Sequence, residues 1–340
     1  MTSPFFIPEL HNMTEHPFLS QARDVVGAAN VLTHDVEAYA NDWKDKYHGR
    51  PMAVIRPGST AEVSAVVKLC AKHQLAIVPQ GGNTGMCGAA TPDDSGQQVI
   101  ITLGRLNHIR SVDPANNTMT VEAGCVLQTL QETAESVNRL YPLSVGSEGS
   151  CQIGGNIATN AGGVQVLRYG NTRDQVLGLE VVLPSGEVLD MLRGLRKDNT
   201  GYDLKHLFIG SEGTLGLITA ATLKLMPLPS AHAVGMVAVT SPAKAVELLQ
   251  HMRDRMGERF SAFELMSHAI VALTRTHFPA LPQPFAQPHD WYVLMEVADG
   301  GEDAKLAEDF QAALEEALER ELVLDVVITQ SQAQARALWE

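Results

Sequence analysis

The sequence predicts an α+β protein of two domains, the first made of strands that run into glycine-rich loops and the second ferredoxin-like. Three observations carry this reading. Apolar runs alternate with amphipathic stretches from about residue 51 onward. Three glycine-dense stretches each abut an apolar segment. At "KLMPLPS" two prolines close a strand and the glycine density collapses, after which the order is β-α-β-α-β-α-β. The expected division is a helical N-terminal extension over 1–46, a first domain over 47–228 and an incomplete ferredoxin-like domain over 229–340. A chain of 340 residues, 45% of them hydrophobic, has room for two such cores.

Taken in order, "MAVIRP" reads as a strand, and "STAEVSAVVKLCAKHQ" as a helix with Ser59 at the N-cap and Glu62 completing a capping box. "LAIVP" is the next strand. It runs directly into "PQGGNTGMCGAA", which places Gly81, Gly82, Gly85 and Gly88 behind the second strand of a β-α-β unit. "QVIITL" is another buried strand, "HIRSVDPANNTMTVEAG" a hairpin turning at residues 113–117, and "VLQTLQETAESVNRL" an amphipathic helix. The second glycine stretch is "SVGSEGSCQIGGNIATNAGG". "LGLEVVLPSGEVLDML" is a hairpin through 184–186, and the third stretch, "IGSEGTLGLIT", runs into a strand. The second domain alternates "AVGMVAVT", "PAKAVELLQHMRDRM", "RFSAFELM", "HAIVALTRTHF", "WYVLMEV", "DAKLAEDFQAALEEALE" and "LVLDVVIT", with "FPALPQPFAQPHD" as a loop. "SQAQARALWE" ends in a helical pattern with no cap, glycine or proline, so a truncation is expected there.

Composition removes several classes of function. A formal charge of −14 and the lack of a Lys/Arg cluster argue against nucleic-acid or anionic-membrane binding. No run reaches the ~18 apolar residues of a membrane span, and "MTSPFFIPELHNMTEHPFL" has no secretory signal, so a cytoplasmic location is expected. Cys70, Cys87, Cys125 and Cys151 form no C-x-x-C pair and read as buried thiols. The 12 histidines show no H-x-H or H-E-x-x-H spacing, and no metal ligand is assigned.

One glycine stretch alone is explained by a tight turn. Three of this density point to backbone that approaches a ligand, and loops of free N–H groups bind phosphates well. Neither G-x-G-x-x-G nor the Walker spacing is present. The neutral loops fit a pyrophosphate held by N–H dipoles rather than by Lys or Arg.

"PQGGNTGM", "GSCQIGGNIATNAGG", "GLEVVLPSGEVLD" and "RKDNTGYDLKHLFIGSEGTLGLIT" closely resemble the FAD-linked dehydrogenases of the vanillyl-alcohol oxidase type flavoprotein superfamily. The branch is the one acting on D-2-hydroxyglutarate, D-lactate and glycolate, and the similarity runs from about Arg50 to the last residue. The resemblance implies a two-part FAD-binding domain followed by the ferredoxin-like domain as a substrate-side cap. By position, Pro79, Gln80, Gly81, Gly82, Asn83, Thr84, Gly85 and Met86 would wrap the pyrophosphate. Ser147, Glu148, Gly149, Ser150, Gly154, Gly155, Asn156, Thr159, Asn160, Gly162 and Gly163 would run along the pyrophosphate and the flavin ring. Gly213, Gly216, Leu217 and Ile218 would lie near the adenosine half.

Relatives that bond FAD covalently carry a histidine after the glycine pair. Asn83 stands there instead, so the resemblance implies non-covalent FAD. It also implies a D-2-hydroxy acid as substrate, an unidentified electron acceptor and, as a further expectation, a homodimer. The catalytic base, and any divalent metal of a full-length member, would lie beyond Glu340. Two other readings stay open at this stage: a flavin-binding subunit or sensor without substrate chemistry, and a nucleotide-binding protein that takes no flavin.

Overall fold

The computed structural model describes residues 15–281 and 283–339. Much of the N-terminal stretch read for a signal therefore lies outside the described residues. Helix α1 (Pro17–Val26) starts with proline at its first turn and buries Phe18, Leu19, Ala22 and Val26 along one face. Strand β1 (Val31–Leu32), helix α2 (Glu37–Ala40), strand β2 (Ala53–Ile55), helix α3 (Thr60–His73) and strands β3 (Ile77–Gln80) and β4 (Val99–Thr102) follow. The segment expected as a helical extension thus also supplies an edge strand. The sheet order is β1-β2-β4-β3, with β4 parallel to both of its neighbours and β1 antiparallel to β2.

The cap of α3 forms in part as expected. Ser59 Oγ accepts the Glu62 N–H at 3.2 Å, but the Glu62 carboxylate takes the N–H of Gly58, at 2.7 Å, rather than that of Ser59. Because β2, β3 and β4 run parallel, the chain leaves all three at one edge of the sheet. Loops that leave parallel strands at a common edge are where α/β sheets place ligands.

The next segment carries β5 (Ile109–Asp113), β6 (Thr118–Glu122), α4 (Leu127–Ser136), β7 (Arg139–Leu140), α5 (Ile153–Ala158), α6 (Val166–Tyr169) and α7 (Thr172–Gln175). Then come β8 (Val176–Val182), β9 (Val188–Met191), α8 (Lys205–Phe208), β10 (Leu217–Lys224) and β11 (Met226–Pro227). Five of these strands form an antiparallel sheet in the order β5-β6-β10-β8-β9. Both expected hairpins are present, the first turning through Asn117 at φ 54° and the second through Gly186 at φ 80°. Helix α4 stops short of its expected end because Asn138, at φ 57°, turns the chain into β7, which pairs with β11. Glu180 on β8 ties this sheet to helix α3: it accepts from Thr60 Oγ1 of that helix at 2.6 Å and, within the sheet, from Thr219 Oγ1 at 2.8 Å and Arg110 Nη2 at 3.2 Å. One apolar cluster runs from Phe18 to Leu225.

The last segment is β12 (Ala231–Val239), α9 (Pro242–Met256), β13 (Phe260–Ser267), α10 (His268–His277), β14 (Trp291–Asp299), α11 (Asp303–Glu319), β15 (Asp325–Ile328) and α12 (Gln332–Trp339). Its sheet order is β13-β14-β12-β15 with every neighbour antiparallel, the ferredoxin-like arrangement with α10 inserted between its second and third strands. Helices α9 and α11 bury Leu248, Met252, Phe310 and Leu314 against one face. Val234, Met236, Tyr292 and Leu294 form the other, where Leu338 and Trp339 of α12 pack. The described residues contain no helix long and apolar enough to cross a membrane.

Candidate functional site

The three glycine stretches meet. The first leaves β3 at Gln80, whose side-chain amide donates to Tyr39 O at 2.8 Å and Ala90 O at 2.9 Å and so pins both ends of the loop. Asn83 sits at φ 53°, a region its short polar side chain tolerates, and donates through Nδ2 to Asn41 O at 2.7 Å. Among the described residues, the backbone N–H groups of Gly81 through Cys87 find no acceptor. A Cβ on Gly82 would lie 2.2 Å from Ser150 O, so the second stretch is pressed against the first. Gly213 of the third, at φ 78°, would put a Cβ 2.3 Å from Pro79 Cγ. The third stretch also bonds to α5, through Gly210 N–H to Ile157 O at 3.1 Å and Glu212 N–H to Ala158 O at 2.9 Å.

Beside this junction opens a cavity of about 370 Å³, within the range of small-molecule sites. Gln80, Gly81, Gly82 and Asn83 form one wall, Ser150 and Gln152 another. Thr102 enters from the end of β4, Gly104 and Arg105 just after it, Arg56 after β2, and Ala38 and Tyr39 from α2. The lining has two arginines and no carboxylate, in a protein with 39 acidic and 25 basic residues. Gln152 Oε1 is buried without a hydrogen-bond partner, as is Asn156 Oδ1 on α5. Donors in excess, two cations and unpartnered amide oxygens suit a ligand that carries phosphate and has N–H groups of its own. An FAD fits that chemistry. A Cβ on Gly85 or Gly155 would meet nothing within 4 Å, so protein packing demands glycine at neither place.

The remaining sequence-expected residues divide by what they touch. Pro79 backs Gly213 from β3, while Thr84, Gly85 and Met86 continue the first loop past the cavity lining, with Met86 exposed. Ser147, Glu148 and Gly149 build the turn before Ser150: Glu148 Oε1 accepts from Ser144 Oγ at 2.6 Å and from the Val145 N–H at 3.2 Å, and Ser147 O accepts the Ser150 N–H. Gly154 packs on Ala123, Gly162 on Asn171 and Gly163 on Ser144 O, each too close for a Cβ. Thr159 Oγ1 donates to Gly155 O, and Asn160 Oδ1 accepts the Arg173 N–H. Gly216 packs on Val181, and Leu217 and Ile218 are buried strand residues paired with Val182 and Val181.

Sequence reasoning missed Arg56, Arg105, Gln152, Thr102, Gly104 and Tyr39 as cavity residues. The signal for the first two was available, since each follows a strand that ends at the edge from which the first glycine loop leaves. Their presence adds two cations to a cavity whose glycine loops the sequence expects to offer N–H dipoles. The reading of four buried thiols also needs correction, because Cys87 is exposed on the loop. Burial pushes the Cys70 thiol up to about 12 and that of Cys125 up to about 11, so both are inert packing groups.

Comparison with known proteins agrees with this geometry. Residues 51–192 match the FAD binding domain family and residues 228–340 the C-terminal domain of FAD linked oxidases. The chain is 40% identical over 329 residues to D-2-hydroxyglutarate dehydrogenase of Xanthomonas citri, covering 96% of this chain and 68% of that one. It is 39% identical to the mitochondrial D-2-hydroxyglutarate dehydrogenases of Arabidopsis thaliana, over 94% of this chain and 57% of the relative, and of Bos taurus, over 98% and 62%. The chain therefore spans little more than half the length of these last two. Among solved structures, p-cresol methylhydroxylase superposes with a TM-score of 0.75 at 21% identity, covering 94% of this chain and 68% of that one, which shows the fold alone. The cytoplasmic expectation is overturned by the plant and bovine relatives, which are named as mitochondrial. The physical reason is that a search for a secretory signal does not address organelle targeting, which is written in other patterns.

Proposed function

The chain belongs to the FAD-linked D-2-hydroxy acid dehydrogenase family, and from that premise we propose that it holds FAD without a covalent bond and serves the oxidation of a D-2-hydroxy acid to the 2-oxo acid. D-2-hydroxyglutarate is the first candidate substrate, because the relatives described above carry that name. D-lactate is the second, from the sequence resemblance. Glycolate has no support in those names.

The single observation that carries the cofactor assignment is the acid-free cavity lined by the first two glycine stretches, beside their junction with the third. Gly81, Gly82, Asn83 and Ser150 form the wall for the pyrophosphate, with Gln152 offering a buried amide oxygen to an N–H group of the ligand. Bound there, FAD would supply the two-electron acceptor for the hydride that leaves the hydroxyl-bearing carbon. The chain's own contribution is to fix the cofactor's place and to keep its phosphates off bulk water. Asn83 offers an amide where a covalent linkage would need an imidazole, and that amide is already committed to Asn41 O. We assign 47–228 to cofactor binding and 229–340 to the substrate side. The separation of the two large apolar cores between Leu225 and Ala231 supports that division.

The test is stoichiometric. The purified chain should take up one FAD per molecule, and acid precipitation should release the yellow colour into the supernatant. Flavin retained in the pellet would refute the non-covalent assignment, and a chain that takes up no added FAD would refute the cofactor itself. Anaerobic mixing of the flavin-loaded full-length protein with D-2-hydroxyglutarate and D-lactate then tests the substrate, read as flavin bleaching.

A further inference from the structure

We propose that Arg56 and Arg105 form a cationic clamp that compensates the phosphate charge of the bound cofactor and sets its affinity. The inference rests on the FAD reading above and goes beyond it, since the glycine loops were expected to hold the anion with dipoles alone.

The two side chains reach the cavity from different strands and are held differently. Arg105, just after β4, donates through Nη1 to Arg56 O at 2.6 Å and stands 3.8 Å from the Glu62 carboxylate. Its guanidinium lies over Gly58, where a Cβ would come within 2.7 Å of Nη2, so the absence of a side chain there gives the arginine its place. Glu62 is in turn occupied by the Gly58 N–H. Arg105 is therefore a fork fixed at one tine. Arg56 differs: among the described residues its guanidinium has no hydrogen-bond or ion-pair partner, although it lines the cavity.

An arginine without a partner beside a cavity that contains no carboxylate is an unbalanced charge. Water can solvate it, but a diphosphate satisfies it in the planar, two-pronged way that guanidinium favours. Gly81, Gly82 and Asn83, whose N–H groups have no acceptor among the described residues, line the same cavity, so an anion there would be met by dipoles and by cationic side chains together. In a chain of net charge −14 the surrounding field repels an anionic ligand, and two local cations are the means of reversing that field where the phosphates enter.

The experiment is a titration of the flavin-free protein with FAD, read by quenching of flavin fluorescence, at a series of salt concentrations. R56M should weaken FAD binding by about tenfold and the R56M/R105M pair by more, the scale of losing charge-assisted hydrogen bonds. The dependence of affinity on salt should become shallower in both, because fewer ionic contacts remain to be screened. R56K should restore part of the affinity and of the salt dependence. R56M is the decisive variant, since the Arg56 side chain bonds nothing else among the described residues and its loss should leave thermal unfolding of the flavin-free protein unchanged. Wild-type affinity in R56M, or weaker binding with an unaltered salt dependence, would overturn the clamp while leaving the cofactor assignment intact. A wild-type chain that binds no FAD overturns the cofactor assignment and the clamp together.

Discussion

Gly82 and Gly155 should respond to the same substitution in opposite ways. At Gly82 an added methyl would stand 2.2 Å from Ser150 O, 3.0 Å from Cys151 Cα and 3.1 Å from Ser150 C. All three neighbours are backbone, so no rotamer change relieves the contact and the first two glycine stretches must part. Overpacking of this kind costs about 1–3 kcal/mol. At Gly155 the methyl meets nothing within 4 Å, and the residue lies inside α5. Replacing an interior helical glycine by alanine is favourable by roughly 0.5–1 kcal/mol. The flavin-free proteins should therefore fall on either side of wild type, with G82A less stable and G155A slightly more so. Affinity for FAD should drop in both, in G82A because the walls separate and in G155A because the methyl occupies the open space proposed for the cofactor. Urea unfolding of the flavin-free variants gives the first quantity and fluorescence titration the second. The reasoning fails if G155A lowers the stability of the flavin-free protein as G82A does, or if it is stabilised and still binds FAD with wild-type affinity.

The pH dependence follows from two groups. Burial works against ionisation of Glu180, but hydrogen bonds from Arg110, Thr60 and Thr219 outweigh it and hold the carboxyl below its usual range. Its contribution is present above the unfolded value and lost as pH falls through the lower folded one, so E180Q should reduce stability at neutral pH and flatten the acid limb of the stability–pH profile. His232 is raised, chiefly by the Glu296 carboxylate 3.7 Å from its Nδ1 and in spite of burial. Its contribution is full below the unfolded histidine value and disappears as pH rises through the higher folded one, so E296Q should remove a loss of stability on the alkaline side of the histidine range. His251 is buried between α9 and α11, bonded to Ala313 O at 2.8 Å and to Arg320 Nη1 at 2.8 Å. H251L removes both bonds and should cost roughly 1–3 kcal/mol in chemical unfolding, at about 0.5–1.5 kcal/mol for each bond.

The elements were legible where periodicity and punctuation agreed. The β4 run "VIIT" is buried at every position and could be read as a central strand without any long-range knowledge. The ferredoxin-like alternation was equally plain, since Ser, Pro, Gly or Asp stands at most strand and helix ends of the last segment. The site was half legible. Glycine stretches announced that backbone approaches something, but whether the close neighbour is ligand or protein depends on pairs far apart in sequence, such as Gly82 with Ser150 and Gly163 with Ser144. Several glycines expected to face the cofactor prove to be contacts between loops. Arg56 and Arg105 were hidden for the same reason: "VIRPGS" and "LGRLN" are ordinary strand exits until the parallel register sets them side by side.

The centre of the five-stranded sheet is β10, which is the last of its strands in the chain, lying between β6 and β8. During synthesis the ribosome delivers both neighbours before the strand that joins them, and the loop bearing Gly213 arrives only just ahead of it. Until about residue 224 has emerged, β6 and β8 each keep an unpaired edge. A nascent chain is then open to mispairing at the place where non-local contacts form slowly. The packing of Gly213 on Pro79 likewise joins parts of the chain made at widely separated times. The order of the strands thus makes the closed five-stranded sheet a late product of synthesis, complete only once β10 has been delivered between its waiting neighbours.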